Sequence, residues 1–435
     1  MIERRAFFKG FAAALAVAST LPEIASAMFD YLAELRADLA SAPDEKALWN
    51  RVQSEFLLDP GLLHFNNGSI GPTPRPIVEA HKAYIDRFET NPYAHAWSGF
   101  SDKRLGDVTP KAAAFLNAGP DEILLTRNTT EGMNLVATGM RLKAGDEILT
   151  TDHEHAGGIN CWHHMAQMQG VIVRKIHLPT PATSKEEILE LVEDGITPRT
   201  RVCSFPHLTT TTGLMMPLAD IAQITRSKDI LLVCDGAQAP GMLDVDVRKL
   251  KVDAYASSSH KWMLAPKGTG LLYVRKGIQD RIRPVTTWAG SGSQYAAYTA
   301  SGGTRNTPML LAYGDTMDFH NALGRARVEA RARQLTAYLR RRLRPIANLV
   351  PVTADDPELS AAMTSYEIEG RSSVGALKAE LSRRHIIIKS TGYRSAVLGI
   401  QAPVRNVSVI RLSTHIYNSE DQIDRLAEEI GDIVG

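Results

Sequence analysis

Short apolar runs recur along the chain, each followed by a turn of polar or small residues and then a helical pattern. They fall at 123–125, 146–150, 171–173, 202–205, 230–234, 254–257 and 270–274. Continuous apolar strands separated by helices predict strands buried on both faces, hence an α/β fold around a mostly parallel sheet. In such folds ligands lie beyond the carboxyl ends of the strands, so the residues just past each run are the ones to read. After about 312 the texture changes to a long Arg-rich helical stretch. Strand-like pieces follow at 386–388 and 407–412, then an amphipathic helix at about 419–434. This predicts a smaller C-terminal α+β domain (313–435) after a large domain (61–312) and an N-terminal helical segment (28–60).

Two strand ends carry complementary chemistry. The run 230–234 is followed by Asp235-Gly236-Ala237-Gln238. Lys261, in Ser257-Ser258-Ser259-His260-Lys261, comes 26 residues later, just past another apolar run. A buried carboxylate and a partly buried lysine facing each other across a cleft suit pyridoxal 5′-phosphate (PLP). Burial lowers the lysine pKa so that it can form a Schiff base, and the carboxylate keeps a pyridinium nitrogen protonated. Taken singly, each half reads equally as a turn aspartate or a surface lysine. Asn128-Thr129-Thr130-Glu131 opens a helix after a strand, a place for a phosphate or a simple N-cap. His155 follows the run 146–150 and could stack on a flat ring or merely start a helix.

In order along the chain stand Asn66-Asn67-Gly68-Ser69, Asn128-Thr129-Thr130-Glu131-Gly132, Glu154-His155, Asp235-Gly236-Ala237-Gln238 and Ser258-Ser259-His260-Lys261. Gly303-Thr304 and Arg411-Leu412-Ser413-Thr414-His415-Ile416-Tyr417-Asn418 complete the series. Together they resemble the class V aminotransferase family of fold type I PLP-dependent transferases, and within it the isopenicillin N epimerase-like branch. The resemblance implies that Lys261 carries the cofactor and shuttles a proton at the substrate α-carbon. It pairs Asp235 with the pyridinium nitrogen, Gln238 with the ring hydroxyl oxygen and His155 with the ring face. It assigns Thr129, Thr130, Ser258 and His260 to the phosphate, and Thr304 to the phosphate in a neighbouring subunit, hence a homodimer. Arg411 would clamp a substrate carboxylate, though an outward-facing strand arginine is the plain alternative. Asn67 would line the substrate pocket in the 66–71 loop, and Tyr93, His95, Trp97 and Trp288 could shape that pocket or simply pack.

The activity implied is that of a PLP-dependent enzyme at the α-carbon of an amino acid or derived amine, aminotransferase-like. Epimerisation and a PLP-dependent lyase or side-chain tailoring reaction are the alternatives. Cysteine desulfurase is disfavoured: the 390–395 loop offers Ser395 where desulfurases place a sulfur-accepting cysteine, and none of the three cysteines lies after Cys234. Thr210 stands where desulfurases carry an asparagine at the ring hydroxyl. Two readings lie outside PLP chemistry. His153, His155, His163 and His164 fall within twelve positions and could serve a metal hydrolase, although no Asp/Glu ligand set is obvious beside them. A binding protein on the same fold is the other.

The chain's 49 basic and 48 acidic residues give no electrostatic footprint for nucleic acid. The N-terminus reads as an export signal: Arg4-Arg5 with Phe7, Phe8 and Lys9, an apolar stretch, then Ala25-Ser26-Ala27. The paired arginines resemble the twin-arginine class, implying the twin-arginine export machinery as a partner, cleavage after Ala27 and a periplasmic protein. No later apolar run reaches the ~20 residues of a membrane span, so no stable membrane association is expected.

Overall fold

A computed structural model describes residues 15, 20–97, 100–283, 304–370, 374–395 and 405–434, with the side chains of 96–107, 394, 395 and 405 outside the description. The main sheet contains seven strands. They are β2 (Ile123–Thr126), β3 (Glu147–Thr151), β4 (Ile172–Ile176), β5 (Thr200–Pro206), β6 (Leu231–Asp235), β7 (Ala254–Ser258) and β8 (Gly270–Val274). Their order is β2-β8-β7-β6-β5-β3-β4. β8 runs antiparallel to both β2 and β7, and every other pairing is parallel. Every residue of β6, β7 and β8 is buried, as unbroken apolar runs demand; β4, at the sheet edge, buries only Ile176. This is the fold type I α/β arrangement, a mostly parallel sheet with helices on its faces.

A second, antiparallel sheet has the order β12-β13-β10-β9, from β9 (Leu349–Pro351), β10 (Met363–Ile368), β12 (Lys389–Ser395) and β13 (Arg405–Ser413). The Arg-rich stretch forms two helices, Thr307–Leu323 and Arg325–Leu343, broken at Gly324. The second buries Leu335, Leu339 and Leu343 with Ile423, Leu426 and Ile430 of the C-terminal helix Glu420–Val434. One expectation is corrected here: 390–395 is not a loop but lies in β12. Its polar sequence reflects an edge strand whose pairing is supplied by apolar β13. A short parallel pair, β1 (Leu63–His64) with β11 (Ile386–Ile387), ties the segment after residue 64 to this smaller sheet.

Helix Leu21–Ala40 opens on a capping box between Thr20 and Glu23 and runs unbroken through Ala25-Ser26-Ala27. Leu21 and Ile24 are buried with Leu35, Trp49, Tyr84 and Phe319. The bond after Ala27 is therefore helical in the intact chain, and cutting it would remove Leu15, Leu21 and Ile24 from this cluster. Arg4, Arg5, Phe7, Phe8 and Lys9 lie outside the described residues. No described helix is long and apolar enough to cross a membrane.

Candidate active site

Asp235 ends β6 and is buried; Lys261 follows β7 across the same cleft. Burial raises the Asp235 pKa, while the Ala237 N–H donated to Oδ1 at 2.9 Å and the nearby Lys261 charge pull it back. Burial lowers the Lys261 pKa to about 8, with Asp235 opposing that shift and Arg411 adding to it. Such an amine is partly neutral near physiological pH and can act as nucleophile or base. Glycines allow the close packing here. A Cβ on Gly236 would lie 2.1 Å from the Tyr255 ring, and one on Gly158 would lie 2.5 Å from Asp235 Oδ2. Tyr255 bonds His207 at 2.9 Å, and the His207 N–H donates to the Asp235 carbonyl at 2.8 Å. Burial lowers the His207 pKa to about 4, so it serves as a neutral prop beneath the aspartate.

His155 caps helix Ala156–Gln169, its Nδ1 accepting from the Gly157 N–H at 3.0 Å. That bond leaves Nε2 to carry the proton in the neutral ring. Burial, then the Lys261 charge, lowers the ring's pKa, with Arg411 and Lys389 adding to the effect. Next to it, Thr130 is exposed in the first turn of helix Thr129–Gly139, and a Cβ on Gly157 would lie 2.5 Å from its Oγ1. Thr129 is buried, and its N–H and hydroxyl both meet Ser258 Oγ at 2.9 Å. The Nδ1 of His260 is buried without a protein partner.

Arg411, on β13, is 2% exposed. Nη1 donates to the Thr210 carbonyl at 2.8 Å and its hydroxyl at 2.9 Å; Nη2 donates to Asn66 Oδ1 at 3.1 Å and Ser69 Oγ at 2.9 Å. All four acceptors are neutral, Nε has none, and burial pushes the guanidinium pKa down to about 10. A buried guanidinium without a carboxylate is costly unless a ligand supplies one. Gln238 joins this network: Nε2 donates to the Gly68 carbonyl at 2.9 Å and to Thr210 Oγ1 at 3.1 Å, and Oε1 accepts from Trp262 Nε1 at 2.7 Å. The Ser413 N–H donated to the Phe65 carbonyl at 2.9 Å brings the 66–69 turn against Arg411.

The structure thus gathers Asp235, Lys261, His155, Gln238 and Arg411 around one cleft. Asn67 packs against the backbone of Lys261. Its side chain is wholly buried, accepts from Tyr417 Oη at 3.1 Å and donates to the Lys261 carbonyl at 3.5 Å. Its neighbour Asn66 is the residue that reaches Arg411. Thr304 is exposed in the loop before helix Thr307–Leu323. Tyr93 is 76% exposed, His95 packs on Phe88 with ring centroids 5.5 Å apart, and Gly303 and Trp288 lie outside the described residues. The four clustered histidines do not converge: His153 is buried against Thr212 and the Tyr393 ring, His155 caps a helix, and His163 and His164 lie farther along that helix. Among the described residues no group of three or more His, Cys, Asp or Glu is placed to hold a metal. Missed by the sequence reading was Glu154, which accepts from Thr151 Oγ1 at 3.0 Å. Its pKa is raised to about 8 by burial and the Asp235 charge. Lys389 was missed as well, for its polar strand gave no signal.

The aminotransferase class-V family profile matches residues 64–426. An isopenicillin N epimerase from Amycolatopsis lactamdurans is 33% identical over 404 residues, 88% of this chain and 98% of that protein. A probable cysteine desulfurase from Methanothermobacter thermautotrophicus is 26% identical over 386 residues, 86% of this chain and 95% of that protein. Among solved structures, a mutant of C-DES with glycine covalently linked to its PLP cofactor superposes with a TM-score of 0.77 at 23% identity. It covers 87% of this chain and 99% of that one.

Proposed function

The chain belongs to the class V aminotransferase family of PLP enzymes, and on that premise we propose that it acts at the α-carbon of an amino acid or amino-acid-derived amine, in the manner of an aminotransferase. One observation carries the reading. A lysine amine with its pKa lowered to about 8 shares a cleft with buried Asp235 and with a buried arginine that has no acidic partner among the described residues.

The residues present fit PLP. Asp235 would hold the ring nitrogen, Lys261 the aldehyde carbon, and His155 one ring face. Thr130 and the partnerless Nδ1 of His260 are polar groups suited to the phosphate, with Ser258 and Thr129 behind them. When bound, the cofactor supplies an electron sink that acidifies the α C–H of an attached amine. Arg411 binds the substrate carboxylate through its two-pronged guanidinium and so fixes which bond faces Lys261. Lys261, partly neutral, takes the α-proton and returns it. Asp235 would hold a proton at the ring nitrogen, its carboxylate positioned by the Ala237 N–H.

Epimerisation at the same carbon is the second reading, favoured by the match to an isopenicillin N epimerase across 98% of that protein. Persulfide transfer is not supported by this chain's own thiols. Cys161, Cys203 and Cys234 are all buried, and burial raises each pKa, the first two to about 12. None of them is a thiolate at neutral pH.

The test is incubation of the PLP-loaded protein with a panel of amino acids in deuterated water, followed by NMR. The expected result is deuterium at Cα together with a keto acid. Exchange with inversion and no keto acid assigns epimerisation, and absence of exchange across the panel contradicts both readings.

A further inference from the structure

The antiparallel register of β12 on β13 sets Lys389 directly opposite Arg411. Direct partners in such a pair point to the same face, with Cα atoms about 4.5–5.5 Å apart. The alternation along β13 identifies that face. Ile410 and Leu412 point into the core of the small sheet, while Arg411 opens on the cleft. Tyr393, four residues beyond Lys389 and therefore on the same face, rests edge-on against the His153 ring with centroids 5.1 Å apart. β12 thus forms a wall of the cleft opposite the stretch from His153 to His155. The Lys389 charge reaches the His155 ring together with those of Lys261 and Arg411.

Lys389 is half-buried, and among the described residues no carboxylate pairs with it. The segments 284–303 and 396–404 contain no Asp or Glu that could do so. The acids of the cleft are otherwise engaged: Asp235 faces Lys261, and Glu154 bonds Thr151. Among the described residues, two cations therefore share one face of the sheet without a paired anion. An ordinary amino acid brings one carboxylate, which satisfies Arg411 and leaves Lys389 without one.

We propose that the substrate carries a second anionic group, which Lys389 binds while Arg411 holds the α-carboxylate. The substrate class is an amino acid with an acidic side chain, or a derived amine with a distal carboxylate. This rests on the reading of Arg411 as a carboxylate clamp.

Calorimetric binding of amine-free carboxylates to the PLP-loaded protein tests it. Glutarate, adipate and pimelate are compared with pentanoate, hexanoate and heptanoate. At least one dicarboxylate is expected to bind about 10-fold or more tightly than the monocarboxylate of equal length. Lys389→Met is expected to bring that ratio within about 2-fold with monocarboxylate affinity unchanged, and Lys389→Arg to retain it. Unchanged monocarboxylate affinity also shows that the variant is folded. No dicarboxylate binding, no preference in the wild type, or a preference that survives in Lys389→Met each overturns the proposal. Because these ligands lack an amine, a preserved preference beside failed amino-acid exchange counts against the α-carbon chemistry and not against Lys389.

Discussion

Asp235→Asn is expected to lower turnover on the order of 10³-fold while the protein stays folded and still binds PLP. The asparagine has nearly the volume of the aspartate, so the contact with Gly158 and the bond from the Ala237 N–H persist. What disappears is the negative charge, buried without solvent to replace it. A neutral amide cannot hold a proton on the ring nitrogen, and the electron sink weakens. The measurement is single-turnover kinetics on the loaded variant, with a thermal melt beside the wild type. Turnover within 10-fold of wild type would remove Asp235 from the chemistry. A variant that fails to fold would instead be met by Asp235→Glu, which keeps the charge but must press on Gly158.

Arg411→Lys is expected to weaken binding of carboxylate substrates on the order of 10²-fold, with little effect on amines that lack a carboxylate. Lysine keeps the charge, so an effect of charge alone predicts little change. Lysine loses the planar fork, which in the wild type is held by Thr210 on one prong and by Asn66 and Ser69 on the other. Equal loss for substrates with and without a carboxylate would mean that the variant only loosens the 66–69 turn. Substrate-induced change in cofactor absorbance, titrated for a matched amino acid and amine, separates the two outcomes.

The placement of the strand-end residues was legible because it is local. Asp235 and Lys261 each follow an apolar run, and a parallel sheet delivers such residues to one edge. Arg411 was legible through its motif, but its neutral, acid-free surroundings were not. Those surroundings come from the pairing of Phe65 with Ser413 and from the 207–213 turn, contacts between residues more than 200 positions apart. Sequence does not say which of the two adjacent asparagines bonds Arg411; in the structure it is Asn66. The strand Lys389–Ser395 escaped because an edge strand needs little apolar character of its own, and with it went Lys389. Glu154 stood within a recognised motif, yet its raised pKa comes from burial and then from the Asp235 charge, both set by the fold. The helix through Ala27 was hidden by an alanine-rich composition that serves an export signal and a packed helix alike.

The central claim is that Lys261 holds PLP covalently. The most direct measurement is borohydride reduction of the purified, PLP-loaded protein, followed by proteolysis and mass mapping of the pyridoxyl group. The account predicts a violet-region absorbance band that borohydride removes, the label on the peptide containing Lys261, and neither band nor label in Lys261→Ala. A protein that stays colourless after PLP is added, or a label found on another lysine, would contradict it.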